Sequence, residues 1–333
     1  MTGPPTAPIE AIVSESPEAL GRRLLPAGGQ GAQSLQRRPW RVAFDAAFCW
    51  IVIALAFALV AVRPAWWSVL FAFVVIGNRQ YALSLLAHDG DHRTLLRSRR
   101  VNDMFSAVLL CAAVGIDPRV NRKHHLSHHR RLATEDDPDR YTYSVNDKAT
   151  RADFLLFLTG LPMFPRALRK LSSGGAPGGA GLRGLATALL QHAPTLVAQL
   201  VLLAAISAWL PWWYYLVLWL GPIYPLNFVP HKIRMFCEHA QPLTPDSKAD
   251  ERRLITYVPG WLERTLFAPY NVNFHAEHHL WPHVPYHGLA RLHGLLAGRP
   301  EVEIRRSYLG FLRTYFAQLP LLGPWPESRS IAA

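Results

Sequence analysis

Three histidine clusters constrain this chain more than any other feature, because they lie far apart in sequence yet each has the spacing of groups that meet at one point. The segment RKHHLSHHRR, beginning at Arg122, holds His124, His125, His128 and His129. On a helix, His125, His128 and His129 stand at i, i+3 and i+4 and leave one face about 5–6 Å apart. HDGDH places His88 and His92 at i and i+4, and HAEHH repeats the H-x-x-H-H pattern with His275, His278 and His279. With 15 histidines in 333 residues, that pattern is expected by chance about 0.03 times in a chain of this length. It occurs twice, so a solvated histidine patch, adequate for one cluster, is a poor account of all three.

Eight imidazoles exceed what one metal takes. A structural zinc uses four ligands and a catalytic zinc three, so the count points to two metals, and imidazole alone admits Zn, Cu, Fe or Ni. Carboxylates interleave with the clusters at Asp89, Asp91, Asp136, Asp137, Asp139 and Glu277. Ring N–H groups of metal-bound histidines commonly donate to such oxygens. The isolated His192, His231, His283, His287 and His293 read instead as structural, hydrogen-bonded groups.

Half of the residues are hydrophobic, only 17% are charged, and there are 11 Trp. That balance predicts a membrane protein. The net charge of +12 does not imply nucleic acid, because the basic residues flank apolar runs and form no stripe interleaved with aromatics. Anionic lipid headgroups and an acidic protein donor fit better. Cys49, Cys111 and Cys237 are too few and too scattered for a disulfide framework or a C-x-x-C site. Residues 1–36, rich in Pro, Ser and Glu and without a signal-peptide pattern, read as a flexible cytoplasmic tail. Residues 37–320 read as the membrane domain and 321–333 as a C-terminal tail. SSGGAPGGAGLRG, from Ser172, reads as a flexible linker between halves.

Four runs approach bilayer length: Val42 to Val62, Ala65 to Ala87, Leu185 to Leu210, and Trp212 to Val229. Each has about 18–26 residues, enough for a hydrocarbon core about 30 Å thick. RPAWW and LPWW make short aromatic turns within the pairs, which predicts two helical hairpins in an all-α membrane fold. The run Met104 to Ile116 is too short to cross and reads as re-entrant or interfacial. Arginines crowd before the first span, after the second and before the third, whereas the hairpin tips carry only Arg63. The positive-inside rule then puts both termini and the central loop in the cytoplasm, at the inner or plasma membrane, with all three clusters on one side as a helical cap. Arg79, about nine residues into the second span, would be costly there unless paired or lining a substrate path.

The three boxes H-x-x-x-H, H-x-x-H-H and H-x-x-H-H, with two hairpins between them, resemble the membrane fatty acid desaturase family. The resemblance runs from about Gly77 to Leu296 and includes NRQYALSLLAHDGDHRTL, RKHHLSHHRRLATEDDPD and NVNFHAEHHLWPHVPYHGLARLH. It implies a di-iron centre that activates oxygen with two external electrons and desaturates an acyl chain of a membrane lipid or fatty acyl substrate. His88, His92, His125, His128, His129, His275, His278 and His279 match the family's ligand boxes. A further ligand often follows the last span, and RMFCEHA offers His239, although Met235 stands where some relatives contribute an Asn. Box three begins with His275, unlike the Gln usual in cytochrome-fused relatives, and no His-Pro-Gly-Gly haem segment occurs. A separate ferredoxin or reductase is therefore implied.

Other readings remain open from sequence. Carotenoid ketolases, carotenoid hydroxylases and lipid hydroxylases share the box spacing. An intramembrane metalloprotease would need H-E-x-x-H, but Asp89 holds the position of its Glu. A metal transporter or non-catalytic metal-binding protein would place ligands inside the bilayer and not at helix ends.

Overall fold

The computed structural model describes residues 16–25, 33, 35–145, 149–164, 182–240, 254–296, 298–299 and 301–321, with side chains left aside at 182–191. Most of the Gly-rich stretch after Ser172 and nearly all of the C-terminal tail lie outside the described residues. The architecture is helical, and the described strands are two short ones.

The first helix, α1 (Pro17–Leu24), falls in the segment expected to be a flexible tail. Ser16 caps it, accepting from the Ala19 amide at 3.3 Å. Leu20 is fully buried, and the Gly21 carbonyl accepts from Trp281 Nε1 at 2.7 Å. A Cβ on Gly21 would meet the Leu280 carbonyl, so only glycine lets α1 approach this closely. The tail composition gave no signal of this docking, because it rests on one apolar side chain and one backbone carbonyl.

Two helices are long and apolar enough to cross a membrane, α2 (Pro39–Val62) and α3 (Trp66–Asp91). They pack as a hairpin through Val42, Ala46, Cys49, Ile53, Ala56 and Val60 on one side and Ala72 and Ile76 on the other. Their outer faces leave Phe44, Ile51, Leu55, Phe71 and Val74 exposed, the apolar surface a lipid-facing helix presents. Inside this hairpin Arg79 lies against the Phe48 ring, 5.8 Å from its centroid. The run after Arg97 forms α4 (Arg99–Phe105), a π-helical stretch Ser106–Cys111 and a 3₁₀ turn Ala112–Val114. It bends by 98° into α5 (Pro118–Arg131), so the pair is either a broken span or a re-entrant loop.

The third and fourth apolar runs behave differently from the first pair. Helices α6 (Arg140–Tyr143) and α7 (Arg151–Thr159) lead to α8 (Leu182–Ser207), which contains Pro194 and has its apolar stretch from His192 to Ser207. The fourth run is divided into π-helical pieces, Tyr215–Leu220 and Ile223–Phe228, before α9 (Val229–His239). Pro222, Pro225 and Pro230 each lack a backbone N–H, so the regular helical ladder cannot run through them. Side chains satisfy what the break frees: Gln80 Nε2 donates to the Trp219 carbonyl at 2.8 Å. Gln199 Oε1 accepts from Tyr215 and Trp219 while its Nε2 donates to the Ala112 and Ala113 carbonyls.

Beyond His239 the chain builds β1 (Ile255–Tyr257), α10 (Trp261–Phe267), α11 (His275–Leu280), α12 (Tyr286–Leu292), β2 (Glu303–Arg305) and α13 (Tyr308–Gln318). The strands pair in parallel, Ile255 to Glu303 and Tyr257 to Arg305. Tyr257 stacks on Tyr308 with centroids 3.9 Å apart. This small assembly packs α9, α7 and α13 around Phe154, Phe236 and Tyr315, and so fixes the end of α9 against α11.

Candidate metal centre

Four helices deliver the histidines. The last turn of α3 carries His88, and His92 follows at its C-cap. Helix α5 begins with Pro118 in its first turn and Asp117 Oδ1 accepting from the Arg119 and Val120 amides at 2.9 and 3.2 Å. That cap fixes the phase of the helix, and His125, His128 and His129 then leave its inner face. Helix α9 ends at His239, and the six-residue α11 carries His275, His278 and His279. So short a helix is held by its surroundings: all six of its residues are buried, and Thr256 Oγ1 accepts from the Ala276 amide at 3.2 Å.

The nine histidines meet in one contiguous cluster. His92 Nε2 lies 2.7 Å from His125 Nε2, and His129 Nε2 lies 3.0 Å from His125 Nε2 and 2.9 Å from His278 Nε2. Beside it, His275 Nε2 lies 2.9 Å from His239 Nε2 and 3.0 Å from His279 Nε2. Two all-histidine groups could each hold an ion, His88, His92, His125 and His278, and His128, His239 and His279, and a third candidate shares His128 with Asp137 and Asp139. Hydrogen bonding accounts poorly for the contacts, because a ring nitrogen carries one proton or one lone pair and cannot serve two partners at once. Nitrogens about 2.1 Å from a shared ion stand about 3.0 Å apart at a right angle and about 3.4 Å apart in a tetrahedron, and the contacts of 2.9 and 3.0 Å approach the shorter spacing. The buried His128 Nε2 and His88 Nδ1 have no protein partner.

Burial drives the imidazoles of His275, His278 and His279 well below their usual range, and the neighbouring imidazoles add to it. Burial, with Arg122 and His283 nearby, lowers His92 to about 3. These rings are therefore neutral, the state in which a nitrogen lone pair is available to a cation.

Outside the cluster, acids and hydroxyls orient individual rings. His128 Nδ1 donates to Asp137 Oδ1 at 2.8 Å, and the Tyr143 hydroxyl donates to Asp137 Oδ2 at 2.6 Å. His275 Nδ1 faces Glu238 Oε2 at 3.3 Å, and Glu238 is held by Arg234 and the Tyr308 hydroxyl. Burial raises Glu238 to about 7, opposed by Arg234. Of the acids singled out in the sequence, Asp137 holds a clustered ring. Asp139 accepts from His124, outside the cluster, and its other oxygen stands 3.7 Å from His128 Nδ1, while Glu277 bonds Thr256 and His293. Asp89 accepts from Thr94 and the Tyr286 amide, Asp91 accepts from Asn121, and Asp136 is exposed. The sequence reading missed Glu238, Arg234 and Tyr308. Glu238 adjoins His239 in CEHA, and an acid beside a candidate ligand was the available signal.

A cavity of about 390 Å³ opens beside the cluster, with His88, His125, His128 and His275 in its wall. Leu85, Val114, Ile116, Met163, Ile223 and Phe228 give it an apolar side, and His231, read from sequence as structural, lines it too. His293 and His192 lie outside, the first on Glu277 and the second 3.8 Å from Asp117. The arrangement suits a pair of metal ions beside a chamber for an apolar chain.

A model of the family described as fatty acid desaturase matches residues 64–309, well over half of the chain. No curated protein sequence matches it. The matched span takes in both apolar helices' shared turn, the cavity wall and all nine clustered histidines, and the chain belongs to the fatty acid desaturase family, a family of membrane-bound oxidoreductases.

Proposed function

We propose that this protein is an oxygen-dependent fatty acyl desaturase whose metal centre is a pair of irons held by His88, His92, His125, His128, His129, His239, His275, His278 and His279. The observation that carries the reading is the convergence of these nine imidazoles into one cluster, seven of them in two groups that could each hold an ion and His129 and His275 in contact with those groups. When bound, the irons would supply oxygen-activating redox chemistry able to take hydrogen from an unactivated C–H bond. The protein's own residues do the rest. Asp137 and Glu238 hold His128 and His275 in one orientation, as outer partners of ligand histidines do. Leu85, Val114, Ile116 and Phe228 exclude water and hold one methylene against the histidine wall, since positioning decides which bond reacts. Electrons come from a separate ferredoxin or reductase, drawn to the basic face.

The same reading places four crossing segments in two hairpins, with termini and metal centre cytoplasmic in a plasma or inner membrane. The apolar helices α2 and α3, the exposed Trp209, Trp212 and Trp213 near the second tip, and the arginine asymmetry support it. Reporter fusions at Arg63 and Pro211 should both read on the far side, and a cytoplasmic signal at Pro211 would break the convergence argument.

The reaction is tested with purified protein reconstituted with iron and a reductant. It should consume oxygen and yield an unsaturated acyl product. A hydroxyl or keto product would leave the centre standing and replace desaturation with the oxygenation of the related ketolases and hydroxylases.

A further inference from the structure

Resting on the proposed acyl chemistry, we infer that Lys232 is the recognition group for the substrate's head, and that the head is a free carboxylate held in the same chamber as the metal centre. Lys232 lies on α9, one of the cavity-lining positions Ile223, Asn227, Phe228, His231, Lys232 and Met235. It is 2% exposed. Its ammonium donates to the Thr142 carbonyl at 2.6 Å and sits over the Phe157 ring at 3.4 Å from the centroid. No carboxylate among the described residues forms an ion pair with it. The acid on the cavity wall, Asp139, is engaged by His124 at 2.7 Å and stands 3.7 Å from His128 Nδ1.

A buried ammonium with one carbonyl and one ring face for company is costly, since both partners are neutral. Burial lowers it to about 7. If its only role were to tie α9 to Thr142, a neutral donor such as glutamine would serve without that cost. An ammonium has three donors, and the lining position of Lys232 turns the problem into a function: an anionic oxygen arriving in the cavity supplies the absent charge. Asn227 and His231, on the same wall, offer further polar groups to that oxygen. His88, His125, His128 and His275 line the same cavity. A chamber of about 390 Å³ is near the small end of the range for ligand pockets, so head and reacting carbon share one compartment.

The test is equilibrium binding to the iron-loaded, full-length protein under anaerobic conditions, without turnover, using a saturated fatty acid, its methyl ester and an alkyl phosphate of equal length. The acid should bind at least about tenfold tighter than the ester, a charge-assisted contact that the ester lacks. Lys232→Met should erase that difference while leaving ester binding in place, and Lys232→Arg should retain it. Lys232→Gln keeps the Thr142 contact without charge and should behave as Lys232→Met does, which guards against a variant that fails to fold. Equal binding of acid and ester to the unaltered protein overturns the assignment. So does a loss of both ligands together with a lower melting temperature in the glutamine variant, which would make Lys232 a structural tie. Tighter binding of the alkyl phosphate than of the acid replaces the carboxylate with a phosphoryl head. Discrimination by Lys232 in this binding test, combined with no unsaturated product in the separate aerobic turnover assay of the reconstituted protein, would retain the head site and reject desaturation.

Discussion

The two histidine groups differ in how they are held from behind. In the group built on His128, His239 and His279, with His275 alongside, His128 leans on Asp137 and His275 on Glu238, both acids themselves fixed by tyrosine hydroxyls. In the group of His88, His92, His125 and His278, no imidazole–carboxylate contact occurs among the described residues, and three of the four rings are only partly buried. The difference lies behind the rings and not in front of them: both groups reach the cavity wall, His88 and His125 from one and His128 and His275 from the other, but only the first backs onto the acids Asp137 and Glu238. A braced group suits tight, permanent retention of an ion. The unbraced group leaves its rings freer to adjust, and since both groups send two rings to the cavity wall, the two halves differ in rigidity and not in access.

The largest effect expected is from His128→Ala. It removes a proposed ligand and leaves Asp137 buried without its ring donor, so the variant should lose bound metal from the braced group and retain less than about a hundredth of native activity. Full metal content with normal turnover would remove His128 from the centre. Next, Asp137→Asn keeps the shape and alters only the acceptor behind His128. Metal affinity should drop about 10–100-fold at one of two equivalents and not at the other; equal weakening of both would show that the brace is shared. Brief exposure to a chelator should release one equivalent at least about tenfold faster than the other, and Glu238→Gln should accelerate only the slow phase. A single release phase would dissolve the comparison. The smallest effect belongs to Trp281→Phe, which deletes the bond to the Gly21 carbonyl. Helix α11 supplies rings to both groups, so stability should fall by about 1 kcal/mol with both equivalents affected alike. A loss confined to one equivalent would tie α1 to that half alone.

The histidine boxes were legible because helical periodicity converts spacing into a shared face without help from the rest of the fold. His239 was legible only through resemblance, since a lone histidine at a helix end has no periodicity to mark it. The outer partners were harder still. Asp137 and Asp136 are adjacent in sequence and identical in chemistry, yet one holds His128 and the other is exposed. Glu238 stands one residue from a ring it does not serve and braces one 37 residues away in sequence. Hydropathy likewise marked α2 and α3, whose apolar runs contain no proline after Pro39, but could not foresee how Pro222 and Pro225 divide the fourth run.

Composition and periodicity by themselves determined that this chain is helical, apolar and built to gather imidazoles, because those properties reside in residue type and local phase. The tertiary structure decided which nitrogen points inward, which acid stands behind it, that an N-terminal helix docks on α11, and that Lys232 is buried in the cavity wall with no ion-pair partner among the described residues. Those outcomes depend on contacts between segments as much as 260 residues apart. Only the folded chain sets such distances, and the energy of a hydrogen bond or a buried charge depends on them directly.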